Sequence, residues 1–129
     1  MQMKRCYWLL NHPMLEVQKE DLKRNYGIED FVMPSQTIAS LWGNVPTSEV
    51  IPNSYYEGIE TWFADISTDD VVVIQGEPTV AFKIIADLLK RGITVLAGIT
   101  ERKSVDKQLD GKVVKTSVFE HVCFRKYVE

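Results

Sequence analysis

Cysteine and histidine are scarce in this sequence. Of 129 residues only two are Cys and two are His, and no apolar run approaches the roughly 20 residues of a membrane helix. Cys6 and Cys123 lie far apart in apolar stretches and do not form a metal or redox pair, which fits a reduced, cytoplasmic setting. Two histidines and scattered carboxylates form no His-x-x-x-His or Cys/His ligand set, so neither a metal nor a cofactor is expected. Walker, GxGxxG and GxSxG motifs are all missing, which argues against the usual P-loop, dinucleotide and acyl-transfer sites. The first apolar stretch, Cys6 to Leu10, is too short for a signal-peptide core.

What is present fits one globular domain over residues 1–129. Hydrophobic residues make up 45%, aromatics 10% and charged residues 26%, enough to build a single core. The net charge of −3 argues against coating long nucleic acid, but it is uneven: residues 1–99 carry −5 and residues 100–129 carry +2. Positive groups for a small anionic ligand would come from the last quarter, where the alternative is a solvated basic edge.

Three short apolar runs, Cys6–Leu10, Val71–Ile74 and Ile93–Ala97, read as strands buried on both faces, with Ile28–Met33 a weaker fourth. Between them the period turns helical. After Pro13, Leu15, Leu22 and Tyr26 share a face with Gln18, and Gly27 is a stop signal. Ser35 caps a short helix carrying Ile38, Leu41 and Trp42. After Pro52, Tyr55, Ile59, Trp62 and Ile66 repeat at helical spacing. After Pro78, a wide stripe from Val80 to Leu89 completes a β-α-β unit. Asp110-Gly111 signals a hairpin, and Lys112 to Val128 reads as extended chain. The expected fold is a three-layer α/β domain whose parallel strands lie in the order 2-1-3-4, with an antiparallel C-terminal edge.

Ligands of such sheets bind beyond the carboxyl ends of the strands. The candidate turns are therefore Asn11-His12, Gln75-Gly76-Glu77-Pro78-Thr79 and Thr100-Glu101-Arg102-Lys103. Gly76 before a helix start allows close approach of a phosphate; the alternative is a plain strand-to-helix turn in which Glu77 complements the helix dipole. Arg102 can grip a phosphate with two parallel hydrogen bonds, or form an exposed pair with Glu101. His12 and His121 are candidate proton carriers, because histidine is the side chain whose unperturbed pKa lies near neutrality, with structural roles as the alternative. On a regular strand, Phe119, His121, Cys123, Arg125 and Tyr127 share one face.

Taken together, these motifs resemble a known family. Asn11-His12, the Trp-containing middle (Trp42, Trp62) and Val-Ile-Gln-Gly-Glu (73–77) come first. Ala-Gly-Ile-Thr-Glu-Arg (97–102), Asp110-Gly111 and Phe-Glu-His-Val-Cys-Phe-Arg-Lys-Tyr (119–127) follow. The order is similar to that of the small stand-alone CRISPR-associated Csx proteins, most closely the family numbered twenty. Position 123, basic in that motif, is Cys here.

The resemblance implies a Rossmann-like domain related to CARF sensors, working as a homodimer in type III CRISPR antiviral defence. It implies a ring nuclease that cleaves a cyclic oligoadenylate, most often the tetra-adenylate, without metal, and so ends the signal. With it, Arg102, His121, Glu101 and His12 are the catalytic candidates. Asn11, Gln75, Gly76, Thr79, Thr100 and Arg125 are the ligand-binding candidates. The competing expectations are a module that binds the ring without cutting it, and a flavodoxin-like domain for another phosphorylated ligand. Neither a membrane nor long nucleic acid is an expected partner.

Overall fold

A computed structural model describes residues 3–129. Five strands form one sheet: β1 (Arg5–Leu9), β2 (Asp30–Val32), β3 (Val71–Ile74), β4 (Thr94–Leu109) and β5 (Lys112–Lys126). Their order is β2-β1-β3-β4-β5, parallel throughout except for β5, which pairs antiparallel with β4. The order expected for the parallel strands and the antiparallel edge both agree with this sheet.

Two apolar layers explain the continuous runs. Val71–Ile74 is almost wholly buried because its side chains alternate between two cores. On one face, Cys6, Trp8, Val71, Val73, Leu96 and Phe124 pack against Leu22 of helix α1 (Glu16–Tyr26). On the other, Tyr7, Leu9, Val72, Ile74 and Val95 pack against three helices: α2 (Gln36–Gly43), α3 (Asn53–Glu60) and α4 (Pro78–Lys90). Right-handed crossovers require this division. The connection from β1 to β2 runs one way along the sheet, those to β3 and β4 run the other, and the helices fall on opposite faces. Among the described residues no helix is long and apolar enough to cross a membrane.

Trp42 and Tyr55 are buried in this core and are not free to form a surface for a second copy. The stripe from Tyr55 to Ile66 does not form one helix: α3 tightens into a 3₁₀ turn at Thr61–Phe63. The Cys6 thiol is pushed up to about 12 by burial, although a backbone hydrogen bond with Val73 opposes the shift, so it is an inert core residue.

The largest departure from the sequence-based expectation concerns β4. The run Ile93–Ala97 predicts a strand that ends in a turn at Thr100, but the strand continues to Leu109 and returns as β5 through a turn at Asp110 (φ 51°) and Gly111 (φ 76°). Positive φ at both positions is what an Asp-Gly hairpin turn requires. Thr100, Glu101 and Arg102 are therefore rungs of a ladder, facing His121, Glu120 and Phe119. From Ile99 to Leu109 the hairpin extends over ten residues, roughly 33 Å, as a two-stranded arm beyond the carboxyl end of β3.

The alternation expected along β5 is also corrected. The ladder slips at Ile99/Thr100, so that Val122 has no partner and forms a β-bulge. His121 and Phe124 consequently lie on the same face, with ring centroids 4.7 Å apart, while Cys123 and Arg125 are exposed.

Candidate site at the carboxyl ends of the strands

The topological switch point lies between β1 and β3, whose following segments run in opposite directions. The end of α2 meets both turns there. The Trp42 indole N–H donates to the Gln75 carbonyl at 3.0 Å, and a Cβ added at Gly76 would stand 2.6 Å from Trp42 Cζ2. A Cβ added at Gly43 would meet Asn11 Oδ1 at 3.5 Å. Gly76 is thus needed first for the close approach of Trp42. Gly76→Ala is expected to cost about 1–3 kcal/mol by overpacking, measured as a fall in Tm accompanied by altered tryptophan fluorescence.

Gln75, expected to read a ligand, is used internally. Its Nε2 donates to the Gly98 carbonyl at 3.2 Å, and its Oε1 accepts from the Gly98 N–H at 3.1 Å. The side chain extends the β3–β4 ladder one rung past Ile74. Tyr127 closes the same edge, its hydroxyl donating to the Ile74 carbonyl at 3.3 Å.

The N-terminus of α4 already holds an anion. Glu77 accepts hydrogen bonds from the Thr79 hydroxyl and from the N–H groups of Thr79 and Val80. The Thr79 hydroxyl bond, together with those two N–H groups, holds the carboxyl below its usual range. Of the two readings of this turn, the helix-capping role of Glu77 is the one observed.

His12 and Asn11 are exposed beside a cleft of about 270 Å³ lined also by Trp8, Met33 and Pro34. The Trp8 indole donates to the His12 carbonyl at 2.9 Å, which fixes the turn, and His12 Nδ1 lies 3.1 Å from the Pro13 carbonyl. A second opening, about 630 Å³ and mostly apolar, runs from Gln75 and Gly76 along α4 to Tyr127 and Val128. A third, about 670 Å³, lies between the loop from Val45 to Ile51 and the side chains of Tyr56, Thr79 and Lys83. The candidate residues therefore surround one end of the sheet without sharing one cavity.

His121 is packed. Its Nε2 lies 2.7 Å from Asp21 Oδ2, and its buried Nδ1 has no hydrogen-bond partner. Asn25 in turn donates to Asp21 Oδ1 at 2.6 Å. The contact joins β5 to α1 across 100 residues of sequence; Asp21 carried no motif that singled it out.

Arg102 is exposed, with Nε donating to Ser117 Oγ at 3.0 Å, and among the described residues no carboxylate pairs with it. Glu101 faces Glu120, a like-charge pair relieved by Lys103, whose Nζ lies 2.9 Å from Glu120.

The uncharacterized protein MJ1673 of Methanocaldococcus jannaschii is 25% identical over 126 residues, spanning 97% of this chain and 98% of the relative. No solved structure matches. The family model described as the uncharacterized protein MJ1673 family matches residues 4–125, nearly the whole domain, and the chain belongs to that family.

Proposed function

We propose that this chain is a ring nuclease: a Rossmann-like, CARF-like domain that binds cyclic oligoadenylate as a homodimer and cleaves it without metal. One observation carries the reading. The turns after β1 and β3 flank the switch point of a single, mostly parallel sheet, and the arm bearing Arg102 rises from that same end. These are the segments whose motifs resemble the Csx family.

In such a reaction the ligand supplies its own nucleophile. A ribose 2′-oxygen bonds to the adjacent phosphorus as its proton passes to a base, and the bond to the 5′-oxygen breaks as that oxygen takes up a proton. The product is a linear oligoadenylate with a 2′,3′-cyclic phosphate and a 5′-hydroxyl. Much of the rate comes from holding the attacking and leaving oxygens in line. Arg102 would stabilise the charge that builds on the phosphate. Of the proton-carrier candidates, His12 and Glu101 are exposed, and His12 is the first choice, because Glu101 leaves β4 on the face opposite to Arg102. Asn11, Thr100 and Arg125 offer side-chain donors to ribose, base edges or phosphate.

The test is incubation of the purified chain with cyclic tetra-adenylate in excess EDTA, followed by chromatography. The expected result is a linear product ending in the cyclic phosphate. Cleavage abolished by EDTA and restored by magnesium or manganese would overturn the mechanism. The enclosure of His121 favours a second reading, in which the module sequesters the ring; intact ligand with submicromolar binding would support it.

A further inference from the structure

We infer that the β4–β5 arm is a clasp for a second copy of this chain, docking its apolar stripe into the groove along the partner's α4. The inference shares the homodimer of the reading above but does not depend on cleavage.

The arm has reason to need a partner. A two-stranded ribbon in water is marginally stable at best, and this one carries apolar side chains on its open surface. Val105, Leu109, Val114 and Val118 are each 40–57% exposed. The ladder puts all four on the face that α4 covers lower down. Val118 opposes Lys103, Val105 opposes Thr116, Val114 opposes Lys107 and Leu109 opposes Lys112, so the four alternate between the two strands in a zigzag interleaved with lysines. Such an apolar face left bare is an association site.

The body carries a matching surface. Along α4, Val80, Ala81, Ile84 and Leu88 enter the core, yet Phe82, Ile85 and Leu89 continue the apolar arc outward, with Phe82 75% exposed. With Tyr127 and Val128 they line the groove of about 630 Å³. A helix apolar beyond its core face has a second face to cover. The molecule's own arm does not cover it: β4 passes unbroken from beneath α4 into the arm, and no residue between Thr100 and Glu120 lines the groove.

Charge and area point to the same occupant. Between Arg102 and Val118 stand five cations and two anions, a balance of +3, which leaves −6 on the rest of the chain. A basic arm and an acidic body within one sequence complement each other between copies, and reciprocal exchange closes as a twofold dimer. An arm roughly 33 Å long and 10 Å wide covers roughly 330 Å². Two arms on two bodies would then bury roughly 1,300 Å² in total, within the range of stable interfaces.

The experiment is sedimentation and light scattering of the full chain at micromolar concentration, with two sets of variants. Wild type should run at twice the 14.8 kDa chain mass. Val105→Asp with Val118→Asp, at exposed positions, should raise the dissociation constant by about tenfold or more while keeping a cooperative thermal transition. In a Cys123→Ser background, Leu109→Cys combined with Phe82→Cys should yield a covalent dimer under mild oxidation, and neither substitution alone should. A monomeric wild type would overturn the proposal. So would a dimer that survives the double aspartate variant, or efficient cross-linking by Leu109→Cys alone, which would mean that arm pairs with arm. Association appearing only with added single-stranded oligoadenylate would assign the arm to nucleic acid and overturn it too. A dimer that does not cleave would sink the nuclease reading alone, and a monomer that cleaves would sink the clasp and the homodimer while leaving the cleavage chemistry standing.

Discussion

Replacing Arg102 with alanine is expected to slow single-turnover cleavage of cyclic tetra-adenylate about a hundredfold or more, the scale on which one oxyanion donor is lost. Its guanidinium has one fixed contact, to Ser117, and no carboxylate partner among the described residues, so its remaining donors face outward. Stability should hardly change, because exposed contacts of this kind contribute little to folding. Position adds a condition. Ile74 is level with Ala97, and Arg102 lies five residues further along β4, roughly 17 Å beyond the end of β3. An arginine of one copy meets a ring seated at Asn11 and Thr100 only if the ring is large or the arm belongs to a second copy. The comparison variant is His121→Ala. His121 is packed on Phe124 and held by Asp21, so its loss should lower Tm while the folded fraction cleaves near the wild-type rate. Rate and Tm measured on the same samples decide. Normal cleavage by Arg102→Ala would move the chemistry toward His12, and loss of rate at unchanged Tm in His121→Ala would return His121 to it.

The legible parts of this fold were those where burial is two-sided or periodic. Val71–Ile74 stands out because each of its side chains has a core to enter, and α4 because its stripe from Val80 to Leu89 is unusually wide. The arm was illegible for the converse reason. Between Thr100 and Leu109 both faces of β4 are in water, so only a weak alternation from Val105 to Leu109 marks the strand, and the hairpin is announced mainly by Asp110-Gly111 and the extended chain after it. The candidate site was legible in position rather than in role. Strand ends locate the turns, but what Gln75 and Gly76 do there depends on Gly98 and Trp42, 23 and 33 residues away from Gln75. The partnership of His121 with Asp21 spans 100 residues and depends on the bulge at Val122, which no local pattern announces. Glu77 is the exception. A carboxylate before Pro78 at a helix start is a local cap signal, and the structure uses it as one.

The largest effect on stability is expected at Asp70, which anchors the amino end of the sheet, opposite the candidate site. Asp70 is 2% exposed, immediately before β3. Its Oδ1 accepts from the Arg5 N–H at 3.0 Å, and its Oδ2 accepts from the Ser67 N–H at 2.9 Å and the Arg5 guanidinium at 3.0 Å. One carboxylate thus ties the start of β1 to the turn that enters β3. Asn offers a single acceptor oxygen and points an NH₂ group at these donors. Asp70→Asn should therefore cost about 3 kcal/mol, from buried donors left unpaired and a broken ion pair. For a chain of this length that is a fall of roughly 10 °C in Tm. The same contacts set the pH dependence. Burial alone would raise the Asp70 pKa, but the hydrogen bonds from the Ser67 and Arg5 N–H groups and from the guanidinium outweigh it, and the net direction is downward. A carboxyl with a lowered pKa in the folded state contributes stability that is complete above its unfolded value, about 3.9. That contribution is lost as pH falls through the folded value. The Tm gap between wild type and Asp70→Asn should be widest at pH 6–7 and should narrow below about pH 4. A gap that stays constant down to pH 2.5 would mean that the carboxylate charge contributes nothing, and that Asp70 acts only through the shape of the turn.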